Sequence, residues 1–325
     1  MTKLPIIKVR DVIFPRLQAP DLDAMEAFLL DFGMLRARRT QDTLYMRGAG
    51  AAPFVHVTHL GPAGFRGFAF EAASREDLEK IAASDGFSKI EELDSPGKGW
   101  RTVAIDPIGL EVEVVFGIEQ APPSEAIEAR KLNMGTRFQR IGEAQRIGRG
   151  PSRIKRFGHL QLNVPDPQAS FTWYHERFGI LISDTIDLAP NTPVAMFNRC
   201  DKGGEPADHH TILFTNSAST TNAIPGLNHV SWEVFDFDDV LAGHEYLEAK
   251  KRTAEWGVGR HLLGSQVFDY WSDPWGHIHE HWTDGDQLDA STPAGSHGLH
   301  DAAASQWGPD VPESYRRTSA KVVAG

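Results

Sequence analysis

Residues 269–286 read DYWSDPWGHIHEHWTDGD, which packs three histidines and a glutamate into positions 277–281. Imidazoles and carboxylates are the groups that most readily carry protons at neutral pH and ligate first-row metals. On a strand, side chains alternate between faces. His277, His279 and His281 would then share one face, and Ile278, Glu280 and Trp282 the other. A metal cannot draw on both faces of an undistorted strand. Either the three histidines form a site of their own, or Glu280 works with ligands from elsewhere.

An internal repeat bears on that choice. IFPRLQAPDLDAMEAFLLDFGML, from Ile13, resembles FGHLQLNVPDPQASFTWYHERFGIL, from Phe157. Each is a strand, an Asp-bearing turn that can cap a helix, an amphipathic helix, then Phe-Gly and another strand. GFRGFAFEA (64–72) resembles GLNHVSWEV (226–234), and DPIGLEVEVV (106–115) resembles DPWGHIHEHW (273–282). The strand–helix–strands unit also occurs twice inside each half. Four βαβββ modules are therefore expected, starting near Val9, Phe65, Phe157 and Leu227.

The scaffold is duplicated, but its titratable residues are not. Glu280 corresponds to Glu113, whereas His277, His279 and His281 correspond to Leu110, Val112 and Val114. His229 corresponds to Gly67, and His159 to a position near Phe14–Arg16 that holds no histidine. The second half is thus equipped for chemistry and the first reads as structural. His159 and His229 fall on the first strands of modules three and four, and Glu280 on the last strand of module four. Two imidazoles and one carboxylate on three sides of a cavity form a facial set that leaves open positions on non-haem Fe(II). His277, His279 and His281 are left with packing or surface roles.

With those residues in place, the chain over 1–285 resembles the type I extradiol ring-cleaving (catechol) dioxygenases of the vicinal-oxygen-chelate superfamily. The resemblance rests on GHLQLNV with His159, LNHVSWEV with His229, and the glutamate of DPWGHIHEHW. It implies an α+β fold of two vicinal-oxygen-chelate domains, each a curved mixed sheet with helices outside. It also implies a histidine at DHHTILF, a Gly-Arg-His ending here at His261, and a tyrosine nine residues later and ten before the glutamate, which is Tyr270. His209 and His210 both fit the first of these. His210 is favoured because it is in register with Ile212 and Phe214.

The expected chemistry is insertion of both atoms of O2 into a catechol beside its two hydroxyls, giving a muconic-semialdehyde type product. Fe(II) is the expected metal, with Mn(II) compatible with the same ligands. His209 or His210 would move protons near the oxygen side, and His261 and Tyr270 would donate hydrogen bonds to the catecholate oxygens. Relatives that act on carboxylated catechols carry an arginine before the Gly-Arg-His. Here AEWGVGRH places Trp256 in that neighbourhood, which favours an apolar or bulky aromatic substituent. Trp173, Trp232, Trp271 and Trp275 are candidates for lining such a pocket. Two rivals share the module: a glyoxalase-like metal enzyme and a non-enzymatic ligand-binding protein of the bleomycin-resistance kind.

The rest of the chain must position these groups. At 325 residues, 41% hydrophobic and 24% charged, it can bury two cores. The expected division is a domain at 1–117 without metal ligands, a linker at 118–155, a catalytic domain at 156–285, and a tail at 286–325. The linker region, 118–156, carries nine basic and four acidic residues and reads as a solvated connector, an anion-binding patch being the alternative. The tail is either loose or draped over the body as a lid or interface arm, with Trp307 and Tyr315 as anchors. A net charge of −11 argues against nucleic acid or an anionic membrane as partner. The single cysteine, Cys200, and the absence of a secretory-type N-terminus or apolar span fit a cytoplasmic protein. Paired modules expose edges that relatives bury against one another, so a homo-oligomer is expected.

Overall fold

The computed structural model describes residues 4–124 and 130–325. Module one comprises β1 (Val9–Ala19), α1 (Leu22–Asp31), β2 (Leu35–Arg39), β3 (Thr43–Arg47) and β4 (His56–Leu60). Module two comprises β5 (Gly64–Ala72), α2 (Arg75–Ala82), β6 (Glu91–Glu92), β7 (Trp100–Ile105) and β8 (Glu111–Phe116). Together they form one eight-stranded mixed sheet, β2-β3-β4-β1-β5-β8-β7-β6. A short exposed hairpin follows, β9 (Asn133–Met134) with β10 (Arg137–Phe138).

Module three comprises β11 (Ile154–Val164), α3 (Pro167–Phe178), β12 (Leu181–Ala189), β13 (Thr192–Arg199), the two-residue β14 (Ala207–Asp208) and β15 (Ile212–Asn216). Module four comprises β16 (Gly226–Val234), α4 (Phe237–Ala249), β17 (Thr253–His261), β18 (Val267–Ser272) and β19 (Ile278–Thr283). The tail adds β20 (Gln287–Leu288), β21 (Gly295–Gly298), β22 (Ser305–Trp307) and β23 (Ala320–Lys321). The second sheet runs β21-β12-β13-β15-β11-β16-β19-β18-β17-β22, with β23 on β16.

The helix boundaries follow from local chemistry. Asp21 accepts from the backbone N–H groups of Asp23 and Ala24, and Asp166 from that of Ala169, so each Asp-bearing turn caps its helix. Gly33 and Gly179 close these helices at φ +109° and +73°, which is why each repeat carries Phe-Gly there.

Helices α1 and α3 are sandwiched between the two sheets. Phe28 and Phe32 of α1 reach His279, Trp232 and His281 of the second sheet. Tyr174 and Phe178 of α3 pack on Phe68 and Phe70 of the first. One apolar core is therefore continuous across both halves.

The three histidines of the opening cluster are buried, His279 and His281 in this seam, so the surface role allowed for them is corrected to full burial. His281 stacks on Phe32 at 3.7 Å and bonds its carbonyl at 2.7 Å. His279 stacks on Trp232, and His277 pairs with Asp273 at 2.8 Å.

The tail is draped, but only one of its two expected anchors holds. Tyr315 is buried, whereas Trp307 is 46% exposed and only lends its strand to β17. In the linker region, Arg130 and Arg153 pair with Asp239 at the start of α4, which places two of its cations in ion pairs rather than in an open anion site. Residues 125–129 of that region lie outside the described residues. No helix among the described residues is long and apolar enough to cross a membrane.

Phe32→Ala should cost about 3–5 kcal/mol in urea-induced unfolding, because it empties a fully buried site between the sheets. The candidate metal centre described below should survive at low denaturant, since Glu280 lies on the opposite face of β19 and His159 and His229 share that face on β11 and β16.

Candidate metal centre and active site

Strands β11, β16 and β19 lie side by side, with Ser231 between His159 and Glu280 in the register. Alternation turns His159, His229, Ser231 and Glu280 to one face, away from the helices. His159 Nε2 is 2.9 Å from Glu280 Oε2 and 3.3 Å from His229 Nε2, and His229 Nε2 is 3.5 Å from the same carboxylate oxygen. Three ligand atoms this close form the one such cluster found among the described residues. A face of an octahedron with metal–ligand bonds of about 2.1 Å has edges of about 3.0 Å, so the set fits a six-coordinate divalent metal.

Two further observations support the fit. Asn228 Oδ1 lies 2.8 Å from His229 Nδ1, which keeps the proton there and leaves Nε2 bare for a metal. Glu280 Oε1 is buried without a hydrogen-bond partner. Burial opposes ionisation of Glu280, but His159, His261 and His229 outweigh it and hold the carboxyl well below its usual range. Burial also depresses His229 to about 3, so its imidazole is neutral as a ligand requires.

The first half shows what happens at the same place without the histidines. Phe14, Ala69 and Glu113 occupy the register of His159, Ser231 and Glu280. Glu113 is equally buried, but Arg16 binds it through two nitrogens and Arg101 adds a third contact at 3.0 Å. Burial again opposes ionisation, and the two guanidinium groups overcome it. The partners of Glu280 are instead Ser231 and three histidines.

The remaining candidates surround a cavity of about 380 Å³ beside the three ligand positions. His210, His261 and Tyr270 line it. His261 Nε2 is 2.9 Å from the Tyr270 hydroxyl and 3.7 Å from Glu280 Oε1. Burial and the nearby Glu280 raise the phenol well above its ordinary range, so Tyr270 stays a donor.

His210 faces the cavity, with its ring 4.3 Å from that of His159. His209 does not: it lies buried behind His210 and bonds Asp184 at 2.7 Å. The register argument that favoured His210 does not hold, because Ile212 and Phe214 lie in the core while Leu213 and Thr215 line the cavity. His210 precedes the regular strand, so the alternation does not extend to it.

Trp256 lines the cavity, and the four other tryptophans considered do not. Trp232 and Trp271 are core, and Trp173 and Trp275 pack against it. The sequence reading missed Ser231, Asn228 and Gln161, although each stands one or two residues from a ligand on the same strand. It also gave Tyr315 no place in the site. That hydroxyl lies 3.2 Å from His229 Nδ1 and donates to Gln161 Oε1 at 3.3 Å.

Glu280→Gln should reduce bound metal to less than about a tenth of wild type by elemental analysis after dialysis against Fe(II) or Mn(II). Glu113→Gln should leave metal content unchanged. His279→Ala should also retain metal while lowering stability, because His279 fills the seam behind the site.

Residues 156–280 match the Glyoxalase/Bleomycin resistance protein/Dioxygenase superfamily. Over 312 residues the chain is 30% identical to metapyrocatechase 2 of Cupriavidus necator, covering 93% of this chain and 90% of that protein. Its fold is similar to homoprotocatechuate 2,3-dioxygenase of Brevibacterium fuscum, with a TM-score of 0.77, 19% identity, and coverage of 100% of this chain and 97% of that one. It is equally similar to a Mn(II)-bound glyoxalase of Novosphingobium aromaticivorans, with a TM-score of 0.77, 21% identity and 94% of each chain covered. The identity to metapyrocatechase 2, sustained along nearly the whole length of both proteins, shows that this chain belongs to the extradiol dioxygenases of the glyoxalase superfamily.

Proposed function

We propose that the protein is an Fe(II)-dependent dioxygenase that opens the ring of an uncharged catechol beside its two hydroxyls, with O2 as co-substrate. The observation that carries this reading is the joining of a 2-His-1-carboxylate face to His210, His261 and Tyr270 on one cavity. His159, His229 and Glu280 would hold the metal. When bound there, Fe(II) would chelate both catechol oxygens, favour their deprotonation and bring ring and O2 within electron-transfer reach.

The protein's own groups supply the rest. His261 and Tyr270, already joined to each other, orient one catechol oxygen by hydrogen bonding. His210, whose Nδ1 is engaged by His209, has Nε2 free to accept and return protons on the far side of the cavity. Burial, with His159 and His209, holds His210 well below its ordinary range, so its imidazole is neutral. The first half, with Glu113 neutralised by arginine, serves as scaffold.

The cavity wall favours an apolar or bulky substituent. Ile186, Val194, Phe197, Leu213, Trp256 and Leu263 line it, and Asp301 and Arg316 are the charged residues among its lining. A carboxylate pushed among the aliphatic groups would lose its hydration there, since the one cation of the lining, Arg316, is an exposed residue. The volume suits a substituted single ring or a small biaryl.

Oxygen uptake by anaerobically Fe(II)-reconstituted protein should proceed with alkyl- and aryl-catechols and produce a yellow ring-fission product. kcat/KM for carboxylated catechols should be at least about tenfold lower. Thiol-dependent isomerisation without oxygen uptake would favour a glyoxalase-like activity instead. Tyr270→Phe should lower kcat by about tenfold or more with metal content intact.

A further inference from the structure

Behind His210 lies a chain of polar side chains that the catalytic reading leaves unused. His210 Nδ1 is 3.0 Å from His209 Nδ1, His209 Nε2 is 2.7 Å from Asp184 Oδ2, and Asp184 Oδ1 is 2.9 Å from His297 Nε2. The groups come from three separate segments. Asp184 is on β12, the two histidines precede β15, and His297 is on β21, which the tail adds in parallel to β12 with Asp184 opposite Gly295. The series runs from the buried His210 to His297, whose side chain is 31% exposed.

Resting on the function proposed above, we infer that Asp184 is a positioning residue: through His209 it fixes which nitrogen of His210 is presented bare to the cavity. The argument is one of hydrogen-bond parity. A carboxylate only accepts, and the two histidines overcome the burial of Asp184 to keep it ionised. Both His209 Nε2 and His297 Nε2 must therefore carry protons. With a single ring proton, held on Nε2 by Asp184, His209 presents a bare Nδ1 that can only accept. Among the described residues the donor facing it is His210 Nδ1–H, so His210 Nε2 is unprotonated.

That is the atom left to meet the substrate. A base at the end of two rigid imidazoles costs little reorganisation when a proton arrives. His297 occupies the second oxygen of Asp184 and so prevents the carboxylate from turning away. The tail, which lines the cavity through residues such as Asp301 and Arg316, thereby also bears on its reactive side through Asp184. Gly295 is part of the arrangement, since a Cβ there would fall 2.1 Å from Asp184 Oδ1.

The test uses Asp184→Asn, whose amide can donate to His209 Nε2 and so invert the series. Proton-coupled nitrogen NMR of metal-free protein labelled with [15N]histidine should show His210 as the Nδ1–H tautomer in wild type. In Asp184→Asn it should show the Nε2–H form or a mixture. After reconstitution, kcat of the variant should fall by about tenfold or more and its pH profile should shift, with KM for the catechol and metal content within about twofold. Asp184→Glu should recover part of the rate.

A wild-type His210 with its proton on Nε2 overturns the inference, as does an Asp184→Asn enzyme with unchanged tautomer and kcat. Loss of metal and rate together in both variants, with the tautomer unmoved, assigns Asp184 a purely structural role and likewise overturns it. If no catechol supports oxygen uptake, only the functional reading fails, because the NMR measurement in the metal-free protein still decides the tautomer.

Discussion

A carboxylate buried to zero exposure on the last strand of a module must find positive charge close by. This protein meets that demand twice, in the same register, with different answers. Glu113 is met by Arg16 and Arg101, and the place becomes a closed ion cluster. Glu280 is met by two imidazoles aimed at its oxygen from neighbouring strands, with the other oxygen unpaired. Desolvation cost at the second place is what makes a divalent cation the natural occupant. Much of the remaining structure keeps that arrangement in being.

The two halves are joined through helices rather than edge to edge, and this has a consequence for the site. The cavity face of β19 carries Glu280, while its other face carries His279 and His281 against Phe28 and Phe32. The same six residues of strand therefore carry part of the candidate metal site on one side and the seam on the other. Imidazoles suit the seam because each combines an aromatic face for stacking with a nitrogen for a buried carbonyl or carboxylate. Burial holds His281 near 3, so it packs as a neutral ring. The tail closes the opposite side: β23 and Tyr315 reach the His229 end, and β21 reaches Asp184.

Much of this was legible because it is periodic. The twofold and fourfold repeats show as recurring strand and helix periods with Asp caps and Phe-Gly stops. The mismatch between the halves then isolates His159 and His229, and strand alternation separates Glu280 from the three histidines beside it. Tyr270 and His261 were implied by the family resemblance, whose spacing to Glu280 they match on the adjacent antiparallel strands. The choice between His209 and His210 came out in the favoured direction for a reason that does not hold, since the strand's alternation begins only at Ile212. The tryptophans were less legible, because an aromatic residue on a strand suits a core and a pocket equally well. Only packing separates Trp256 from Trp232.

The sequence alone determined the four-module fold, the unequal residue content of its halves and the candidate ligand set, because each depends on residue type at short, regular spacing. The tertiary structure decided which charges meet. That Arg16 finds Glu113, 97 positions away, or that His297 finds Asp184 across 113, depends on register between strands distant in the chain. No local period encodes that register. It is set by the burial of whole sheet faces and by the path of the tail. For the opening cluster, the sequence singled out Glu280 from its neighbours, and the structure showed what the histidines beside it do: His279 and His281 pack against the first half, and His277 pairs with Asp273.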